Sequence, residues 1–211
     1  MSNDYNFYVK RRRPEEIYDD VRNYFTKEEI SRYANSKSIM RIQEKITIRA
    51  LELLELKNRN NLILDAGCGP GFTAIYLNGQ GFKTITLDLL PEFLLFYDIK
   101  ELNPIAADMC YIPFKEKEFD AIISISAFQW IFREVYNKYM EYRLINLVKS
   151  FYSILKHKTK TVIQFYPKSK TIMDAIGELI NKNTKFEGRY IIDNPKHPKK
   201  RRIFLVLEKN T

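Results

Sequence analysis

The chain has 211 residues, 45% of them hydrophobic, and a net charge of +9. This length supports one domain with a sizeable hydrophobic core, and no apolar run reaches the roughly 18–20 residues that span a bilayer. The first residues have no apolar stretch typical of a secretory signal, and Cys68 and Cys110 form no CxxC pair, so we expect a cytoplasmic protein with reduced thiols and no zinc site.

Helical and strand patterns alternate along most of the chain. Residues 1–37 are polar and irregular, and apolar residues at helical spacing then predict a helix over 38–56. Pro91 suits the first turn of a helix. Further helices are predicted over 72–81, 91–102, 139–156 and 171–183, and strands over 61–67, 83–89, 105–108, 119–125, 160–167, 189–193 and 202–209.

This alternation predicts a doubly wound α/β sheet with mostly parallel strands. The last two strands flank a polar, proline-bearing segment, which indicates an antiparallel pair. Ligands of such sheets bind beyond the carboxyl ends of the strands. Functional residues are therefore expected directly after the strands, at 65–71, 88, 108, 126–130 and 166–167.

A glycine-rich loop, DAGCGPG at residues 65–71, follows the first predicted strand. Its glycines allow sharp turns and close approach of a ligand to the backbone. The third glycine comes one residue too early for a dinucleotide fingerprint, and Pro70 lacks the amide donor that a pyrophosphate would use. Asp65 adds negative charge at the loop, which favours a zwitterionic or cationic ligand. A helix-capping loop without a ligand is the alternative.

Acidic residues end three successive predicted strands: Asp65, Asp88 and Asp108. An acid about twenty residues after the first glycine of such a loop commonly accepts hydrogen bonds from ribose hydroxyls. Asp88 occupies that position relative to Gly67. Asp108 could accept from an adenine amino group. Either residue alone could be a turn or cap residue, but three in succession favour a nucleoside-like ligand.

This order of acid, GxGxG loop, acid and acid, with a final antiparallel hairpin, resembles the class I S-adenosylmethionine-dependent methyltransferases over about residues 38–211. The resemblance implies a Rossmann-like fold with a seven-stranded, mostly parallel sheet, preceded by an N-terminal extension (1–37) that could act as a lid. It implies S-adenosylmethionine as the cofactor, and no metal. The residues implied to bind the cofactor are Tyr33, Asp65, Gly67, Cys68, Gly69, Gly71, Asp88, Leu89, Asp108, Met109 and Ser126.

Four longer stretches resemble a narrower family, the small-subunit ribosomal RNA guanine-N7 methyltransferases of ribosome biogenesis. They are IQEKITIRALELL (42–54), IPFKEKEFDAIISISAFQWI (112–131), VIQFYPKS (162–169) and IIDNPKHPKKRRIFLVL (191–207). The resemblance implies methylation of one guanine in small-subunit rRNA of the ribosome or its precursor. It also implies a heterodimer with a small zinc-binding activator protein, which would dock at the sheet edge near 89–108. Lys37 stands where that family usually has Arg, and it offers no bidentate fork.

Guanine N7 carries a lone pair and no proton, so its methylation needs positioning rather than a general base. In this interpretation Trp130, the only tryptophan, stacks on or walls the target base, and Gln129 hydrogen-bonds the base or the cofactor. Phe128 and Tyr166 would add apolar surface to the same pocket. The alternative is that Trp130 is a core residue that closes the end of the sheet.

The net positive charge suits a polyanionic partner. The basic stretch at 196–202, KHPKKRR, lies between the last two predicted strands, and we expect it to contact rRNA phosphates. Two other functions stay open at this point. A small-molecule methyltransferase would share the fold and the cofactor, and a non-catalytic ribosome assembly factor would use the same domain only for binding.

Overall fold

A computed structural model describes Phe7 and residues 12–96, 102–198 and 200–210 of the chain. The described residues form one seven-stranded sheet in the order β3-β2-β1-β4-β5-β7-β6. Strands β1 to β5 pair in parallel, whereas β7 is antiparallel to both β5 and β6, which confirms the predicted fold class. The strands are β1 (Leu62–Ala66), β2 (Lys83–Asp88), β3 (Pro104–Ala106), β4 (Phe119–Ile125), β5 (Leu155–Phe165), β6 (Glu187–Asp193) and β7 (Arg202–Lys209).

Helices cover both faces of this sheet. The α-helices are α1 (Val21–Tyr24), α2 (Lys27–Ala34), α3 (Lys37–Leu54), α4 (Phe72–Gly79), α5 (Lys138–Ile154) and α6 (Lys170–Asn183), and short 3₁₀ helices cover Pro14–Glu16, Pro91–Phe96 and Phe128–Trp130. The predicted helices at 38–56, 72–81, 139–156 and 171–183 are confirmed. The helix predicted over 91–102 begins as a 3₁₀ helix, and residues 97–101 lie outside the described part of the chain.

The prediction of an irregular segment before residue 38 is wrong, because α1 and α2 lie within it. Their caps are visible in the sequence. The side chain of Thr26 accepts a hydrogen bond from the backbone N–H of Glu29, in the T-x-x-E spacing of a capping box. Asp20 caps α1 in a similar way through the N–H of Arg22.

The central strands of the sheet are buried on both faces, which explains the continuous apolar run of β4. Ile122 packs with Leu144 and Phe151 of α5 on one face, whereas the adjacent Ile123 packs with Ile46 of α3 on the other. Such alternation places the ends of the strands between two helical layers. Among the described helices, none is both long and apolar enough to cross a bilayer.

Strand β3 lies at one edge of the sheet. It belongs to the segment 89–108, which the sequence predicts to lie at a sheet edge. The N-terminal segment covers part of this edge, because Ile30 of α2 forms a small apolar cluster with Leu90 and Phe93. Two further apolar side chains nearby stay exposed, Leu95 at 77% and Phe96 at 43%.

Candidate functional site

A cavity opens at the carboxyl ends of the parallel strands and measures about 1250 Å³ including its open mouth. Helices α1 to α3 form one wall of it with residues of the N-terminal segment, Phe25 and Tyr33 among them. The structure brings most of the sequence-predicted residues together here. Those that line the cavity are Tyr33, Gly67, Cys68, Gly69, Asp88, Leu89, Asp108, Met109, Ser126 and Trp130; those that do not are Asp65, Gly71, Gln129 and Tyr166.

The glycine loop between β1 and α4 is fixed by the neighbouring strand. The backbone N–H groups of Gly67 and Cys68 both donate to the carbonyl of Leu87, at 2.7 and 3.1 Å. Gly67 has φ +76°, and a Cβ added to it would lie 2.5 Å from Cβ of Ala127. Both its conformation and its surroundings therefore require glycine at position 67.

Asp88 ends β2 with its carboxylate at the cavity. The side chain accepts hydrogen bonds from the N–H groups of Gly69, at 2.7 Å, and Leu90, at 2.9 Å. Burial raises the pKa of Asp88 to about 6, while these N–H donors act against the rise. A carboxylate has about four acceptor positions, so acceptor capacity remains for a ligand with neighbouring hydroxyl groups.

Asp65 occupies a different position from the one expected. It is buried beneath the glycine loop at 1% exposure, rather than at the mouth, and its Oδ2 has no hydrogen-bond partner among the described residues. Burial, followed by the nearby charge of Asp88, raises the pKa of Asp65 to about 8. Between about pH 4 and 8 the carboxyl group is therefore protonated in the folded protein, whereas it is ionised in the unfolded chain.

This shift predicts how the stability of the protein without ligand depends on pH. Between about pH 4 and 8 the folded state holds a proton on Asp65 that the unfolded state releases, so the free energy of unfolding falls as pH rises, by up to about 1.4 kcal/mol per pH unit. Asp65→Asn removes this dependence. We expect the variant to gain stability relative to the native protein as pH rises from 5 to 8.

Urea unfolding at pH 5, 6.5 and 8 measures the effect, and Asp174→Asn is the matched control because Asp174 is exposed on α6. Asp88 titrates in both proteins, so the difference between them reports mainly Asp65. A difference in unfolding free energy that stays constant across these pH values would contradict the prediction.

Asp108 follows β3 and is held by two donors. The N–H of Cys110 donates to Oδ1 at 2.9 Å, and Nη2 of Arg143 lies 2.9 Å from Oδ2 and 3.1 Å from Oδ1. Arg143 belongs to α5 and also lines the cavity. Arg143 was not predicted from the sequence, because it lies within a helix and is distant along the sequence from the carboxyl end of every strand.

A hydrogen-bonded cluster surrounds Ser126, directly after β4. Ser126 has a left-handed backbone, φ +58°, and its hydroxyl donates to Oε1 of Gln164 at 2.9 Å. Nε2 of Gln43 donates to the hydroxyl of Tyr33 at 3.1 Å and to that of Ser126 at 3.4 Å. Nε2 of Gln129 donates to the Ser126 carbonyl at 2.7 Å, which leaves its Oε1 buried without a partner among the described residues. This strained turn is a typical feature of a functional site.

Trp130 forms an aromatic wall of the cavity. Its ring is stacked with that of Tyr24, with centroids 6.1 Å apart and planes 26° apart, and is tilted against Phe25. The expectation that Phe128 faces the same pocket is wrong, because Phe128 is fully buried against Phe165.

Tyr166 lies beside the N-terminal segment. The guanidinium of Arg13 is 4.9 Å from the centroid of its ring and donates to its carbonyl at 2.9 Å. Lys37 is exposed at the start of α3 and does not line the cavity. Among the described residues, no group of three His, Cys, Asp or Glu side chains is placed to hold a metal ion.

Comparison with known proteins places this chain in a family. The sequence model of a family described as "Methyltransferase domain" matches residues 64–158. The chain is 36% identical to the Saccharomyces cerevisiae 18S rRNA (guanine(1575)-N(7))-methyltransferase over 189 residues, which are 87% of this chain and 67% of that protein. It is 33% identical to the Bos taurus 18S rRNA (guanine-N(7))-methyltransferase over 191 residues, with the same two coverages of 87% and 67%.

The fold is shared with a solved structure, a putative S-adenosyl-L-methionine-dependent methyltransferase from Methanococcus maripaludis. The TM-score is 0.65 at 14% identity, and the match covers 97% of this chain and 98% of that one. The chain therefore belongs to the family of 18S rRNA (guanine-N7)-methyltransferases, which are S-adenosylmethionine-dependent enzymes built on the Rossmann-like methyltransferase fold.

Proposed function

We propose that the chain transfers a methyl group from S-adenosylmethionine to N7 of a guanine in small-subunit ribosomal RNA, as a cytoplasmic heterodimer with a small zinc-binding activator. The observation that carries the choice of acceptor is the position of Trp130. Its ring lines the same cavity as the two acids expected to hold the cofactor, Asp88 and Asp108. The similarity to relatives named for this reaction supports the proposal.

The residues of the cavity fit S-adenosylmethionine. The carboxylate of Asp88 has free acceptor positions for the two ribose hydroxyls, and Asp108 offers acceptors for the adenine amino group. The open space at Gly69, where no atom lies within 4 Å of a Cβ position, lets the backbone of the loop approach the ligand closely. When bound, the cofactor supplies an electrophilic methyl group on a positively charged sulphur, and the acids of this cavity tolerate that charge.

The chain's own residues position the acceptor and exclude water. Guanine N7 is already a free lone pair, so orientation supplies most of the rate and no side chain has to remove a proton. Stacking of one base on the indole of Trp130 would contribute roughly 1–3 kcal/mol to binding. Gln129 holds the Ser126 carbonyl from behind the cavity lining, and its Oε1, which has no partner among the described residues, is the atom proposed to accept from a base N–H. Tyr166 is proposed to add apolar surface for the acceptor base, although it does not line the cavity in this structure.

The N-terminal helices are proposed to act as a lid, within an extension at 1–37 of a methyltransferase domain at 38–211. Phe25 and Tyr33 line the cavity and pack on Phe93, with ring centroids 5.0 and 5.9 Å from it. Ile30 of α2 belongs to a small apolar cluster with Leu90 and Phe93 that is separate from the two main core clusters, so α1 and α2 could separate from the sheet without opening that core.

Methyl transfer to small ribosomal subunits that lack the modification tests the proposed function. Labelled S-adenosylmethionine is supplied with and without the activator, and the product is mapped by borohydride–aniline cleavage, which reports N7-methylguanine. We expect cleavage at a single guanine, lost in Trp130→Ala while S-adenosylhomocysteine binding is kept. Label without cleavage would place the methyl group on another atom. Absence of label despite cofactor binding would favour a small-molecule enzyme or an assembly factor.

The activator is proposed to dock at the sheet edge next to β3. This edge strand has only three residues and pairs with β2, and Leu95 and Phe96 leave apolar surface beside it. Unpaired edges of this kind accept an added strand from a partner. We expect the chain alone to aggregate or to bind S-adenosylmethionine poorly, and co-expression with the activator to correct both. A monodisperse chain that binds tightly on its own would argue against docking.

The hairpin between β6 and β7 is proposed to contact rRNA phosphates. Because β7 begins opposite the carboxyl end of β5, this hairpin lies at the same end of the sheet as the cavity. The guanidinium of Arg201 donates to the carbonyl of Pro195 at 2.7 Å, which orients it along the hairpin. Lys199 lies outside the described residues.

Neutralising Lys199, Lys200, Arg201 and Arg202 together should weaken RNA binding and flatten its salt dependence. Each lost phosphate contact lowers the slope of log K against log salt by about 0.7–0.9. Filter binding at several salt concentrations measures the slope. The control neutralises four exposed lysines toward the opposite end of the sheet, namely Lys57, Lys83, Lys115 and Lys117. Equal slopes for the hairpin variant and the control would reject the hairpin as the RNA contact.

A further inference from the structure

Arg143 forms the most enclosed ion pair that faces the cavity. Its side chain is 17% exposed and that of Asp108 is 26% exposed, with the shortest distance 2.9 Å between Nη2 and Oδ2. A second pair at the cavity, Arg22 with Asp20, is much more open to water, since the arginine is 67% exposed. An ion pair that is shielded from water holds its geometry better than an exposed one.

The two acids expected to contact the cofactor differ in what holds them. Asp88 is held by backbone N–H groups, whose positions are set by the glycine loop and the turn after β2. Asp108 has one such donor, the N–H of Cys110, and its second donor is the side chain of Arg143 from a separate helix. The orientation of the Asp108 carboxylate therefore depends on α5.

We infer that Arg143 is a positioning residue for adenine, because it fixes the Asp108 carboxylate so that its remaining lone pairs face the 6-amino group of the cofactor. The inference rests on the adenine-binding role of Asp108 within the proposed function, and it does not depend on which base accepts the methyl group. The guanidinium also compensates the carboxylate charge when the purine displaces water from it.

This arrangement makes the site specific for a purine that donates a hydrogen bond at position 6. A 6-oxo purine presents an acceptor there, which would face the carboxylate oxygens without a proton between them. Partly buried polar groups discriminate strongly when one partner is missing, because the acceptor left behind stays desolvated. Arg143 thereby contributes to specificity without needing to touch the ligand.

Calorimetric titration of the chain co-expressed with the activator tests the inference with two ligands, S-adenosylhomocysteine and S-inosylhomocysteine, its 6-oxo analogue. The variants are Arg143→Gln, Arg143→Lys, Asp108→Asn and the double variant Arg143→Gln/Asp108→Asn. Lys149→Gln is the matched control, because Lys149 is an exposed cation on the same helix.

We expect Arg143→Gln to weaken S-adenosylhomocysteine binding about tenfold, the size of one charge-assisted hydrogen bond, and to leave S-inosylhomocysteine binding nearly unchanged. Arg143→Lys should restore part of the preference for the 6-amino ligand. In the Asp108→Asn background the Arg143 substitution should have almost no effect, since the two residues act as one unit. Lys149→Gln should match the native protein.

Three outcomes would overturn the inference. Equal weakening of both ligands by Arg143→Gln would mean that Arg143 only supports the fold, and tighter binding of S-adenosylhomocysteine would mean that it competes with adenine for Asp108. An additive effect in the Asp108→Asn background would separate the two residues. Failure of the native protein co-expressed with the activator to bind S-adenosylhomocysteine would instead remove the cofactor assignment itself, whereas intact binding without guanine methylation would reject only the acceptor.

Discussion

Asp88→Asn is expected to weaken S-adenosylhomocysteine binding by roughly 100-fold, because two charge-assisted hydrogen bonds to the ribose hydroxyls are lost or reduced at once. The substitution also reaches the glycine loop. The native carboxylate accepts from the N–H groups of both Gly69 and Leu90. An asparagine amide has one oxygen and an NH₂ group, so one of these two backbone donors would face another donor.

Calorimetric titration measures this loss, with far-UV circular dichroism to show that the fold is kept. Asp174→Asn is the control, since it removes the same charge from an exposed position on α6. Asp88→Glu should recover only part of the affinity, because the longer side chain moves the carboxylate away from the loop. Near-native binding by Asp88→Asn would show that the ribose lies elsewhere.

Gly67→Ala is expected to lower the free energy of unfolding by about 2–3 kcal/mol and to abolish cofactor binding. The methyl group would lie 2.5 Å from Cβ of Ala127 and 2.8 Å from Cε of Met109, in a backbone conformation with φ +76°. Both neighbours belong to segments that line the cavity. Relief of the clash therefore has to displace the loop, or the segment after β4, from the position that the ligand needs.

Two other glycines separate the causes of this loss. Gly69 has φ +53° but open space where a Cβ would lie, so Gly69→Ala should cost only the conformational strain, about 1 kcal/mol. Gly79 lies in α4 with open space, and Gly79→Ala should be neutral or slightly stabilising. Urea unfolding compares the three variants. If Gly67→Ala were no more destabilising than Gly69→Ala, close packing would not be the reason for glycine at position 67.

The strands and the glycine loop could be predicted from the sequence because they depend on local signals. A sheet covered on both faces needs continuous apolar runs, and a ligand-binding turn needs glycines at fixed spacing. The run at 119–125 met the first condition and the loop at 65–71 met the second, and the structure confirms both predictions. The parallel arrangement then placed Asp88 and Asp108 at one end of the sheet.

Other features could not be predicted because they depend on contacts between distant parts of the chain. The contact of Arg143 with Asp108 spans 35 residues and joins a helix to a loop. The burial of Asp65 beneath the loop, and the turn of Phe128 into the core, follow from how the loops close over the sheet. Helix α2, by contrast, carried a readable signal in its capping box, which the polar composition of the segment obscured.

The place of β7 has a consequence for the order in which the chain acquires its structure. β7 pairs with both β5 and β6, and its residues Ile203–Leu207 are buried. During synthesis β6 emerges with no strand beside it until β7 has followed. The cofactor half of the sheet, β1 to β4, needs only residues that have already left the ribosome by then. A nascent chain could therefore bind S-adenosylmethionine before its sheet is complete, and the ligand would favour the productive arrangement while the last strand is still being added.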